Sequence, residues 1–154
     1  MFGANAHEIL PGLWLGNRAA SQDSDWLQEK GISTVFNATK DIPFSSVVKH
    51  QYRIPVDDNL EPVEIENMRR WAPEAVLKII REYKTGRPLL VHCHAGMQRS
   101  AALVAMTLIA LKGYDTEKAI KYIRDRRSVA FFPAVNFKKS ITGFEKSFTE
   151  ARGH

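Results

Sequence analysis

The spacing of apolar positions changes period several times along the chain, and each change marks a predicted element. Residues 8–15 place Ile9, Leu10, Leu13 and Leu15 around Pro11-Gly12, a turn pair, and predict two short strands joined there. Residues 23–30 predict a short helix stopped by Gly31. The apolar, β-branched stretch 33–38 predicts a buried strand, and the alternating stretch 51–56 predicts another. From 62 to 84 the period lengthens to that of a helix, with Val63, Met68, Trp71, Val76, Ile79, Ile80 and Tyr83 at helical spacings. Pro73 falls inside this stretch. A proline there has no N–H to donate and its ring meets the preceding turn, so two helices are expected, the second ended by Gly86. Residues 88–91 predict a short strand and 93–98 a compact loop. A strongly apolar helix follows over 99–112, closed by Gly113. A helix over 115–127 starts from Asp115 or Thr116 as N-cap. The last predicted helix, 134–151, is amphipathic, showing Phe137, Ile141, Phe144 and Phe148.

Strands that alternate with helices place the chain in the α/β class, with a central sheet covered by helices. The 154 residues suit one domain, 1–154, with a core over about 8–150. No apolar run approaches the roughly 18 residues that a membrane span needs; the longest, 101–111, is interrupted by Thr107. Residues 1–8 lack the basic and apolar regions of a signal peptide, so a cytoplasmic or nuclear location is expected.

Charge sharpens this picture. The net charge is +5, divided into +9 from Lys78 onward and −4 before it. A basic C-terminal half suits an anionic substrate or partner. Nucleic acid is not expected, because no basic patch interleaved with aromatics is present. The one cysteine, Cys93, excludes an intramolecular disulfide and a Cys-rich zinc site. Of the five histidines, only His92 and His94 are closely spaced, and they flank Cys93, so no metal or other cofactor is expected.

The neighbours of Cys93 point to chemistry. The segment 91–100 follows a predicted strand and opens a predicted helix. Such a turn aims successive N–H groups at one spot, at the positive end of a helix dipole, and that spot favours an anion. A phosphate held by residues 94–99 (His94, Ala95, Gly96, Met97, Gln98 and Arg99) would lie directly over Cys93. The same field favours the thiolate, which is the nucleophilic form. Arg99 can hold two phosphate oxygens at once through its planar guanidinium. Gly96, without a Cβ, lets the loop curl. Ser100 can donate a hydrogen bond to the sulfur, and His92 is expected to turn away from substrate and brace the loop.

His92-Cys93-x5-Arg99-Ser100 resembles the signature of the protein tyrosine phosphatase superfamily. The resemblance extends from about residue 8 to residue 148. Residues 9–16, Ile-Leu-Pro-Gly-Leu-Trp-Leu-Gly, resemble the opening of the dual-specificity phosphatases. Residues 31–37 resemble their next strand, and Arg126 and 137–148 resemble their closing helices. The resemblance implies a mixed, twisted sheet with helices on both faces. It also implies hydrolysis of phosphate esters on phosphotyrosine and phosphoserine/threonine proteins through a phosphocysteine intermediate. The chain departs from the family at 104–108 and at Pro133-Ala134-Val135-Asn136-Phe137, where many members have Pro-Asn.

The resemblance also implies a general acid. In Tyr52-Arg53-Ile54-Pro55-Val56-Asp57-Asp58-Asn59 the family spacing favours Asp58 over Asp57, which would then turn outward or cap the loop. Two other activities stay open. One is a phosphatase of phosphoinositides or phosphoglucans, although residues 94–98 carry no permanent cation. The other is a non-catalytic phosphate-binding module. The oligomeric state is left open.

Overall fold

Residues 4–153 are described by a computed structural model, so the expectation drawn from residues 1–8 falls in part outside that range. In chain order the elements are β1 (Ala6–Leu10), β2 (Leu13–Gly16), α1 (Arg18–Gln22), α2 (Ser24–Glu29), β3 (Thr34–Asn37), β4 (His50–Arg53), α3 (Pro62–Tyr83), β5 (Leu89–His92), α4 (Arg99–Lys112), α5 (Thr116–Arg126) and α6 (Lys138–Arg152). The sheet order is β1-β2-β5-β3-β4. Among the described residues only the β1–β2 hairpin is antiparallel and the other three pairings are parallel, so the sheet is mixed.

Alternation along the inner strands divides the interior. Leu13, Leu15, Phe36, Leu89 and Val91 face the large core shared with α3, α4, α5 and α6. Val35, Leu90 and Trp14 face the other way, against Leu27 and Trp26 of α2. Helices therefore cover both faces. The innermost helix is α4, buried at every position from Ser100 to Ile109, as its apolar sequence on all sides requires. It ends in a left-handed residue, Gly113 (φ 72°), whose N–H donates to the Ile109 carbonyl at 3.1 Å. Among the described residues no helix is long and apolar enough to cross a membrane.

Two expectations need correction, and one element was not expected. The stretch around Pro73 is one helix, α3, not two. Pro73 lies on its exposed side, while Met68, Ala72, Ala75, Val76 and Ile79 form one buried stripe running past it. The missing N–H leaves the Arg69 carbonyl unpaired on the water-facing side, where solvent can satisfy it. A break would instead misalign half of the buried stripe. The helix expected over 23–30 is α2, and a further short helix, α1, precedes it where none was expected. Asp23 ends α1 and caps α2, its carboxylate accepting from the Trp26 N–H at 3.0 Å. The last helix starts at Lys138 rather than at 134, because residues 132–136 are held in a loop by contacts described below.

Candidate active site

Gly16, His92 and Asn37 stand side by side in the parallel register, so β2, β5 and β3 all end at one edge of the sheet. The chain leaves β5 there and enters α4 through the loop 93–98. Ligands of open α/β sheets gather at such carboxyl ends. Gly96 is dictated twice over. Its φ is 68°, and a Cβ would lie 2.5 Å from the Gly16 carbonyl oxygen and 2.8 Å from Arg127 Nη2.

Cys93 sits at the bottom of the resulting pocket, 2% exposed, with Sγ 3.0 Å from the Ser100 hydroxyl oxygen. Burial alone would push its thiol up. The Ser100 hydroxyl and N–H, the Arg99 charge and the Gly96 N–H outweigh that, so the thiol is held below its ordinary value. Gln98 caps α4 without a side-chain hydrogen bond, so the first N–H groups of the helix remain free for an anion. His92 is buried, and its Nδ1 lies 3.1 Å from the Cys93 carbonyl oxygen. A carbonyl only accepts, so Nδ1 carries the proton. Burial pushes the imidazole down to about 4, which keeps it neutral at the loop's base.

The two acids of residues 57–58 separate cleanly. Asp58 lines the pocket with Cys93, and its Oδ1 accepts from Asn136 Nδ2 at 2.9 Å. Asp57 points to the opposite side, 3.1 Å from Lys40 Nζ. Lys40 also pairs with Glu64 at 2.9 Å, and Glu64 accepts from the Asp57 N–H at 3.1 Å. Asn67 donates to the Pro55 carbonyl and Arg99 Nη1 to the Val56 carbonyl, both at 3.0 Å. The acid segment is thus tied from four sides. Among the described residues the Nε of Arg99 is buried without a partner, a donor left available beside the pocket.

His94 and Ala95 are exposed at the mouth and Met97 is half-buried in the wall. Gln98 is buried in the pocket wall. Its Nε2 donates to the carbonyls of Phe132 (3.3 Å) and Ala134 (2.7 Å), and its Oε1 accepts from the Asn136 N–H at 3.0 Å. Through this clamp the loop sets the position of Asn136, and Asn136 in turn holds Asp58.

In the sequence Arg126 figured only as part of a resemblance to closing helices; the arginine that reaches the loop is its neighbour. Arg126 lies outside, stacked over Tyr122 with 3.3 Å to the ring centroid. Arg127 is 2% exposed, and donates from Nε to the Gly96 carbonyl (2.8 Å), from Nη2 to the Ala95 carbonyl (3.1 Å) and from Nη1 to the Ala4 carbonyl (3.0 Å). Burial lowers its guanidinium from the ordinary value and the Cys93 thiolate raises it. The signal was present: Thr116, Ala119, Ile120 and Ile123 mark the buried stripe of α5, and Arg127, the extended residue that ends the helix, falls at the next position of that spacing. Arg127→Met is expected to leave these carbonyls unpaired and to cost about 2–4 kcal/mol, read as a lowered midpoint in urea denaturation. An unchanged midpoint would show that the guanidinium does not brace the loop.

Residues 13–147 match the family described as dual specificity phosphatase, catalytic domain, and the chain belongs to that family. Dual specificity protein phosphatase 4 of Gallus gallus is 33% identical over 139 residues, covering 90% of this chain and 36% of the relative. Dual specificity protein phosphatase 2 of Homo sapiens is 34% identical over 140 residues, covering 90% of this chain and 43% of the relative. The chain therefore spans less than half the length of these curated relatives. The crystal structure of human DUSP28 superposes with a TM-score of 0.83 over 96% of this chain and 97% of that one. At 21% identity this likeness speaks for the fold alone.

Proposed function

We propose that the protein hydrolyses phosphate monoesters on phosphotyrosine and phosphoserine/threonine proteins in two steps at Cys93. The single observation that carries this reading is a buried cysteine whose thiol is held below its ordinary value by Ser100, Arg99 and the Gly96 N–H, at the floor of a loop that opens a helix, with Arg99 and Asp58 in the same pocket. In the first step the Cys93 sulfur attacks phosphorus. The bond to the leaving oxygen breaks, and Asp58 gives that oxygen its proton. Arg99 and the N–H groups of residues 94–99 hold the three equatorial oxygens as charge redistributes. In the second step water attacks the phosphocysteine, the Asp58 carboxylate takes its proton, and the thiolate departs with a hydrogen bond from Ser100. His92 holds the loop from behind, and Asp57 anchors the acid segment through Lys40.

A substrate panel tests this reading. A phosphotyrosine peptide, a phosphothreonine peptide, a phosphoinositide and a phosphoglucan are assayed side by side, with and without a metal chelator. Turnover of both peptides, indifferent to chelation, is the expected result. Turnover confined to the lipid or the glucan would move the substrate class while sparing the chemistry. Binding of all four without turnover would make the chain a phosphate-binding module.

A further inference from the structure

Phe132 is one of the few large apolar side chains that the fold leaves in water, at 66% exposure, and it lines the same pocket as Cys93. Exposed apolar residues scattered singly need no explanation, but this one is built into place. Its neighbour Phe131 is fully buried, adopts a left-handed backbone (φ 59°) and donates its N–H to the Met97 carbonyl at 2.7 Å. A non-glycine residue pays for that conformation in strain, and packing beneath the pocket offsets it. The reversal at Phe131 turns Phe132 outward. On its other side the backbone is held by Gln98, which takes the Phe132 and Ala134 carbonyls. The ring stands on a segment stapled to the phosphate loop at both ends. Among the described residues it stacks on no other ring and meets no cation.

Any ester whose phosphorus rests on Cys93 must carry its leaving group out past the pocket wall. That wall offers the Phe132 ring and the Met97 thioether on the apolar side and Asp58 with Asn136 on the polar side. An aromatic leaving group fills such a slot, because rings stack on rings and attract thioethers at their edges. The short aliphatic stem of phosphothreonine reaches little of it. Resting on the proposed phosphatase reading, we infer that Phe132 is a specificity-determining residue that makes the site favour aryl phosphates, phosphotyrosine above all, over alkyl ones.

The experiment compares kcat and KM for two peptides identical except for phosphotyrosine or phosphothreonine, using wild type, Phe132→Ala, Phe132→Leu and Phe132→Trp. The ratio of kcat/KM, phosphotyrosine over phosphothreonine, is expected to fall about fivefold in Phe132→Ala. The change should fall on the KM for phosphotyrosine, with Phe132→Leu intermediate and Phe132→Trp close to wild type. A ratio that does not move in Phe132→Ala would overturn the inference. So would an equal loss on both peptides, which would mean that Phe132 touches the flanking peptide chain and not the phosphorylated ring. No turnover of either peptide by the wild type would sink the protein-phosphatase reading itself, and the inference with it.

Discussion

Cys93→Ser is expected to abolish turnover, with less than a thousandth of the wild-type kcat remaining, while a phosphopeptide still binds. A serine hydroxyl in place of the thiol removes the nucleophile whose ionisation the pocket favours. It leaves Arg99, the N–H groups of the loop and the bracing by His92 and Arg127 in place. Deleting a nucleophile that acts together with its neighbours costs most of the rate enhancement. Binding should persist because the anion site is built mainly of backbone groups and one guanidinium. Residual turnover in Cys93→Ser of more than a few per cent would remove the covalent mechanism.

Asp58→Asn carries the second large effect. An alkyl phosphate leaves as a strongly basic alkoxide and needs a proton, so its kcat should fall about a hundredfold or more. A nitrophenyl phosphate leaves as a weak base and should lose far less. Asp57→Asn should spare both substrates, because Asp57 faces Lys40 on the far side of the segment. That ion pair is half-exposed, so its loss should change stability little. If Asp57→Asn shows the leaving-group pattern instead, the acid is the neighbouring residue. If neither variant shows it, the acid lies outside this segment.

The reach of the sequence reading followed the distance over which each feature acts. The loop after β5 was legible because its chemistry is packed into ten consecutive residues, and strand, turn and helix could all be read from the same stretch. The order of strands and helices was also legible, since each inner strand is short, apolar and followed by a turn signal. Asp58 stands 35 residues before Cys93, and only a family resemblance connected the two. Local pattern could not tell it from Asp57, whose direction is set by Lys40 and Glu64.

The supporting contacts were not legible: the buried stripe of α5 points Arg127 inward but does not say what it meets. Arg127 reaches the loop from 31 residues away, and Asn136 meets Asp58 across 78. Nothing in the pattern near either residue speaks of its partner. The departure from Pro-Asn at residues 133–137 was visible, but not its consequence, which is an asparagine that reaches the acid from the third position after Pro133. Helix α1 was missed because five residues are too few to show a period. At Pro73 a sound local rule yielded to burial of the helix's opposite face.

The central claim is that phosphate passes through the sulfur of Cys93. Rapid acid quench of the enzyme with a radiolabelled phosphotyrosine peptide, within the first turnover, tests it most directly. The account predicts label on the protein in an amount approaching one phosphate per enzyme, mapped by peptide mass spectrometry to Cys93. It also predicts that Asp58→Asn, which lacks the base of the second step, holds that label longer once it forms. Turnover at the normal rate with no label on Cys93 at any quench time would contradict it.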